Sequence, residues 1–144
     1  MNALTQPVVA RLSLASSQHD LHHARSLLDS ALGFVRQQAA TAQDPYVISR
    51  VGDVQIRIEV AAALLERAEG LLDSEKDATE ISVALAESDL ASAEALATAS
   101  DAEFELTGRR TVLSGSLHDP LRWKRHLIGN FRLNGIHPSA QEAV

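Results

Sequence analysis

Apolar side chains recur every three or four residues along most of the chain, the spacing that places them on one face of a helix. The first such stripe consists of Leu21, Ala24, Leu28, Ala31 and Val35. This stripe predicts a first helix but does not determine the residue at which the helix begins. The helix can begin as early as Val8, or the polar run at 16–18 can interrupt it.

The second stripe is the most regular in the chain. Asp44-Pro45 precedes it and marks a helix start, because Asp accepts bonds from first-turn amides and Pro lacks the N–H that would stay unpaired there. The stripe consists of Val47, Val51, Val54, Ile58, Ala61, Leu65, Ala68 and Leu72. A short polar connection, 73–77, then predicts an antiparallel neighbour.

A third helix is predicted to follow and to close at Gly108. Its apolar side consists of Ile81, Leu85, Ser92, Leu96, Ala99 and Leu106. Ala86, Ala93 and Ala97 are expected to let other helix backbones come close, because alanine is small.

A fourth helix is predicted after Asp119-Pro120, which repeats the earlier start signal. It carries Leu121, Leu127, Ile128 and Phe131, and it is expected to end near Asn134-Gly135. The fold class is therefore all-α, an up-and-down four-helix bundle. The chain is predicted to be a single domain over 1–144, with 1–17 and 138–144 able to fray.

Composition supports this class and excludes others. Aromatic residues are 3% of the 144 residues, so aliphatic and small side chains must build the core. The absence of cysteine fits a reducing compartment, and no apolar run is long enough for a membrane span, so a cytoplasmic location is expected. The net charge of -6 argues against nucleic acid as a partner.

The densest motif lies near the end of the chain: Leu-His-Asp-Pro at 117–120, followed by Trp123-Lys124 and Ile128-Gly129-Asn130. With Gly33-Phe34-Val35-Arg36, Asp44-Pro45 and Val51-Gly52-Asp53 in the same order earlier, it resembles the C-terminal domain of acyl-CoA dehydrogenase-like flavoproteins. The similarity is to the branch with dibenzothiophene monooxygenase and sulfur-acquisition oxidoreductases. It implies a helical bundle that assembles oligomers and closes over a flavin held mainly by preceding domains.

The resemblance also implies site residues. His118 would be a catalytic acid/base and would lie near FMN or FAD, while Gly108 and Arg109 would contact the flavin phosphate, with Arg110 assisting. Each has a plain structural alternative: His118 and Asp119 can cap the last helix, and a glycine C-cap followed by cations suits the negative end of a helix.

Six basic residues and one acidic residue lie between 109 and 132: Arg109, Arg110, Arg122, Lys124, Arg125 and Arg132, against Asp119. They can meet a CoA or flavin phosphate, remain solvated, or face the acidic surface of a neighbouring subunit. Such a surface can come from Glu59, Glu66, Glu69, Glu87 and Glu94.

Two other groups of residues contain side chains that can bind a metal or act as nucleophiles. His19, His22 and His23 have helical spacing, but no carboxylate set completes a metal site, so a solvated polar face is favoured and no metal is predicted. Ser114 and Ser116 lack the nucleophile elbow and third partner of a hydrolase.

Two functions remain open. The chain can be part of a flavin-dependent oxidoreductase, inactive alone, that works with a partner flavoprotein subunit supplying the missing flavin-binding domains. It can instead be a non-catalytic oligomerisation or scaffold protein of the same family. Retention of Leu-His-Asp-Pro and Trp-Lys favours the first function. The second is favoured by Leu113-Ser-Gly-Ser116, which replaces the family's Trp-Arg-Asn and Thr-His-Thr stretch. Either predicts a homo-oligomer, dimer or tetramer, because a bundle of this kind exposes an apolar face.

Overall fold

The chain is mostly helical in the part that the computed structural model describes, residues 5–74, 77–113 and 121–136. The helices are α1 (Thr5–Arg36), α2 (Ala39–Ala42), α3 (Pro45–Ser74), α4 (Ala78–Thr107) and α5 (Leu121–Asn134). No strand occurs within these ranges. The predicted all-α class is confirmed, and the single turn α2 is an addition to the four predicted helices.

The four long helices alternate in direction. Gln18 of α1 bonds Glu69 near the end of α3, and Arg50 at the start of α3 bonds Glu105 near the end of α4. Lys124, near the start of α5, meets Asp89 midway along α4. Each helix is therefore antiparallel to the long helix before it, as short connections require. Helix α4 is central, because it packs against α1, α3 and α5.

Helix α1 continues without a break through the polar run 16–18, at which the sequence pattern allowed an interruption. Ser17 is buried at 1% exposure, and its hydroxyl donates to Asp89 on α4. A serine in the core is tolerated when its hydroxyl has a buried acceptor, because the acceptor replaces water. The stripe therefore extends through Ser17 toward Ala10, which is also buried.

The helix ends follow the predicted signals. The Asp44 carboxylate accepts from the Tyr46 amide at 2.8 Å, so Asp44-Pro45 begins α3 as expected. Asp77 caps α4 in the same way. Gly108 and Gly135 end α4 and α5 in the left-handed conformation, at φ of 73° and 67°, which glycine adopts at little cost.

The core lies where α1, α3 and α4 meet. The predicted stripe of α1 is fully buried, whereas the stripes of α3 and α4 are buried in part. The predicted members that are only partly buried are Val51, Leu72, Ile81, Leu85 and Leu106, and on α5 Leu127, Ile128 and Phe131. The buried cluster consists of Leu21, Ala24, Leu27, Leu28, Val54, Ile58, Ala61, Leu65, Ala95, Leu96, Ala99 and Ala102. Of the small residues expected at close helix contacts, Ala86 and Ala93 are buried. The prediction for Ala97 is wrong, because it faces solvent.

Several sequence predictions concern residues outside the described ranges. These are the helix start at Asp119-Pro120, the middle of the 73–77 connection, Ser114 and Ser116, and the tail after Pro138. Among the described helices, none is long and apolar enough to cross a membrane.

Candidate functional site

A pocket opens at the end of the bundle where α1 and α4 both finish. Its volume is about 530 Å³, within the range of roughly 300–1,000 Å³ that ligand sites occupy. The lining residues are Ser30, Gly33, Phe34, Gln37, Glu103, Thr107, Arg109, Arg110 and Thr111. The left-handed turn at Gly108 places the segment 109–111 against this end of the bundle, so the pocket depends on that turn.

Glu103 is the buried acid of the pocket, at 4% exposure. Its Oε1 accepts two hydrogen bonds from Thr111, one from the amide at 3.0 Å and one from the hydroxyl at 2.6 Å. Its Oε2 is also buried and has no hydrogen-bond partner among the described residues. An unpaired buried carboxylate oxygen is costly, so it is a place where a ligand donor would be stabilised.

The two arginines of the pocket differ in what they contact. The Arg110 guanidinium contacts both the Asp101 carboxylate, at 3.1 Å, and the ring of Phe104. The Arg109 guanidinium lies 5.7 Å from the centre of the Phe34 ring and forms no ion pair with a described residue. Arg109 is therefore the arginine available to an anion at this pocket.

Of the three predicted cofactor-binding residues, the structure describes Gly108 and Arg109. Gly108 and Arg109 are adjacent to the pocket or in its wall, and Gly108 also has the C-cap geometry of the structural alternative, with its amide donating to Phe104 O at 2.8 Å. His118, the predicted catalytic residue, lies outside the described residues. Glu103 was missed, because a glutamate within a helical stripe gives no sign of its burial.

A second polar cluster ties α5 to the bundle. Asp89, at 8% exposure, accepts from Ser13 at 2.6 Å and from Ser17, both on α1. Lys124 of α5 donates to the same carboxylate at 2.9 Å. The three donors come from two different helices, so Asp89 joins α1, α4 and α5 at one point.

Most of the basic residues near the C-terminus are paired with α4. Besides Lys124, Arg125 binds Glu94 at 2.7 Å, and Arg132 lies 3.4 Å from Glu87. Glu87 and Glu94, which the sequence offered as ion-pair partners for a neighbouring subunit, therefore form ion pairs within this chain. The acidic face that α5 covers explains why the sequence concentrates cations there.

Comparison with known proteins agrees with this architecture. The chain is 26% identical over 166 residues to a protein from Pseudomonas putida described as a probable FMNH2-dependent monooxygenase, SfnC, covering 95% of this chain and 42% of that protein. Its fold matches the crystal structure of dibenzothiophene monooxygenase (TdsC) from Paenibacillus sp. A11-2, with a TM-score of 0.74 and 20% identity. The chain has the fold of a partial acyl-CoA dehydrogenase-like domain.

The chain spans less than half the length of either relative. The structural match covers 88% of this chain and 39% of the dibenzothiophene monooxygenase. No protein-family model matches the sequence. The resemblance inferred from Leu-His-Asp-Pro and Trp-Lys is confirmed, as is the helical-bundle fold.

Proposed function

We propose that these 144 residues are the flavin-contacting helical part of a flavin-dependent monooxygenase, and that they work with flavin-binding domains outside this stretch. The proposal rests on one pocket that is lined by both Arg109 and Glu103. Arg109 forms no ion pair with a described residue, and Glu103 Oε2 has no hydrogen-bond partner among them. The similarity to a probable FMNH2-dependent monooxygenase of Pseudomonas putida supports the same chemistry.

The residues present fit a flavin nucleotide. A flavin carries an anionic phosphate, a chain of hydroxyl donors and a planar ring, and the pocket offers a partner for each. Arg109 would hold the phosphate, since guanidinium groups bind phosphate oxygens with paired hydrogen bonds. Glu103 would accept a hydroxyl of the sugar chain, and the Phe34 ring would supply an apolar wall.

The chemistry divides between cofactor and protein. Reduced flavin, when bound, supplies the electrons that monooxygenases use to activate dioxygen. The contribution of this chain is to orient the cofactor through Arg109 and Glu103 and to exclude water from one side of it. We propose that His118 moves a proton as general acid or base, because imidazole exchanges protons near neutral pH.

Flavin titration tests this proposal. We expect the full chain to quench FMN or FAD fluorescence saturably, and Arg109→Ala to weaken binding about tenfold, the effect of losing one charge-assisted hydrogen bond. Arg125→Ala is the matched control, because that arginine pairs with Glu94 away from the pocket. His118→Ala, assayed with the complementing domains, should lower turnover more than flavin affinity.

Two outcomes would contradict the flavin proposal. One is the absence of binding both alone and with a complementing flavoprotein subunit. The other is equal weakening by Arg109→Ala and Arg125→Ala, which would mean that only overall charge matters. A chain that folds and assembles without binding flavin would support the scaffold function.

A specific observation favours self-association. Ile48, Ile56 and Val60 are 55%, 64% and 51% exposed and lie with Gly52 on the face of α3 opposite the core. An apolar row of this kind is covered in most soluble proteins. We propose that a second copy of the chain covers it, giving a cytoplasmic homo-oligomer, and that a partner flavoprotein subunit joins elsewhere.

Light scattering at graded protein concentrations tests the α3 face. Ile56→Lys is expected to shift the oligomer to monomer, since it places a charge in an apolar contact. Leu133→Lys, on an 84% exposed residue of α5, should leave the mass unchanged. A wild-type chain that is monomeric at every concentration would remove the self-association proposal and leave the flavin proposal intact.

A further inference from the structure

Two histidines on the outer surface of α1 face each other through the same ring nitrogen. His19 and His23 are one helical turn apart, and their Nε2 atoms are 3.0 Å from each other. Their ring centres are 4.3 Å apart, with the ring planes at 69°. Two imidazoles can share one hydrogen bond at this distance only if at least one Nε2 carries a lone pair, which is the metal-binding form.

A buried carboxylate stands behind one of the two rings. Asp20 is 3% exposed, and its Oδ1 lies 3.6 Å from Nδ1 of His19, on the ring edge away from His23. At 3.6 Å the two atoms are too far apart for a hydrogen bond, so Asp20 does not fix the tautomer of His19. A carboxylate at this distance still favours a cation bound at the two imidazoles.

We propose that His19 and His23 form a two-imidazole chelate for a divalent late transition metal, with water completing the coordination. The His19 side chain is half exposed and His23 is partly exposed, so solvent reaches both rings. No group of three or more metal-ligating side chains occurs among the described residues, so the protein supplies two ligands here. Helical spacing alone is typical of a solvated face, and only the folded side chains bring the two Nε2 atoms together.

The ligand type indicates which metal binds best. Imidazole nitrogen suits the late first-row divalent metals, and the affinity of such sites rises along the series to Cu(II) and falls at Zn(II). Cu(II) is therefore expected to bind most tightly, with Ni(II) and Zn(II) weaker.

Titration of the full chain with Cu(II), followed by calorimetry and by electron paramagnetic resonance, tests the chelate. The expected spectrum shows two equivalent nitrogen ligands. His19→Ala and His23→Ala should each weaken binding by at least about 100-fold, because each removes half of the protein ligands. His22→Ala is the matched control, since His22 neighbours the pair but its ring centre is 5.7 Å from that of His23.

The helix itself provides a second readout. A metal that bridges one turn of α1 binds the folded chain better than the unfolded one, so saturating Cu(II) should raise Tm in wild type and His22→Ala only. The circular dichroism of all three variants should remain unchanged, because these side chains lie outside the core. Equal loss of affinity in His22→Ala, a single-nitrogen spectrum or no shift in Tm would overturn the proposal. None of these results depends on flavin binding.

Discussion

Replacing Asp89 by alanine is expected to destabilise the chain by about 3 kcal/mol, the cost of breaking a largely buried ion pair by removing one partner. The substitution leaves the Lys124 ammonium and the hydroxyls of Ser13 and Ser17 without their shared acceptor. Urea unfolding followed by circular dichroism measures the loss. Because Asp89 joins three helices, the same variant should also speed hydrogen exchange in α5.

Asp101→Ala is the matched control for Asp89. Both aspartates lie on α4 and both pair with a cation, but the side chain of Asp101 is 60% exposed and that of Asp89 is 9% exposed. An exposed pair contributes about 0–1 kcal/mol, so the control should change stability little. Similar losses in the two variants would show that burial does not set the strength of the Asp89 cluster.

Truncating Ile58 to alanine is expected to cost about 2–5 kcal/mol, the range for removing a large aliphatic side chain from a packed core. Ile58 is 1% exposed and belongs to the core cluster that includes Val54 and Leu96. The neighbours are held on three separate helices, so they cannot close the cavity fully. The free energy of unfolding from urea titration reports the effect.

Leu12→Ala provides the comparison for Ile58→Ala, because Leu12 is 65% exposed on α1. Its expected effect is within about 0.5 kcal/mol, as for most surface substitutions. A loss at Ile58 no larger than the loss at Leu12 would mean that the three-helix core is not packed as described.

Local sequence signals determined the helices and their ends. The three-and-four spacing through Val54, Ile58 and Leu65 predicted the buried face of α3, and capping chemistry at Asp44 and Gly108 predicted its start and the end of α4. These features depend on neighbours within about one turn, so the sequence alone contains the information. The family resemblance likewise rests on short motifs and on their order along the chain.

Tertiary packing determined which polar side chains are buried. Asp89 lies more than 70 residues along the chain from Ser13 and Ser17, and only the parallel packing of α1 against α4 brings it to them. Polar residues in a helical stripe normally suggest the solvent face, so sequence patterns place them on the wrong side. The cost of burial is met by a partner that the local sequence does not reveal.

The same distinction applies to the sites. The family resemblance predicted that Gly108 and Arg109 contact a cofactor, because these residues follow the end of the third predicted helix. Only the folded chain turned Glu103 toward Thr111 and left its other oxygen unpaired, and only side-chain geometry brought His19 and His23 to 3.0 Å. Spacing along a chain fixes which residues can share a face, whereas the distance between two functional atoms depends on how helices and rotamers pack together.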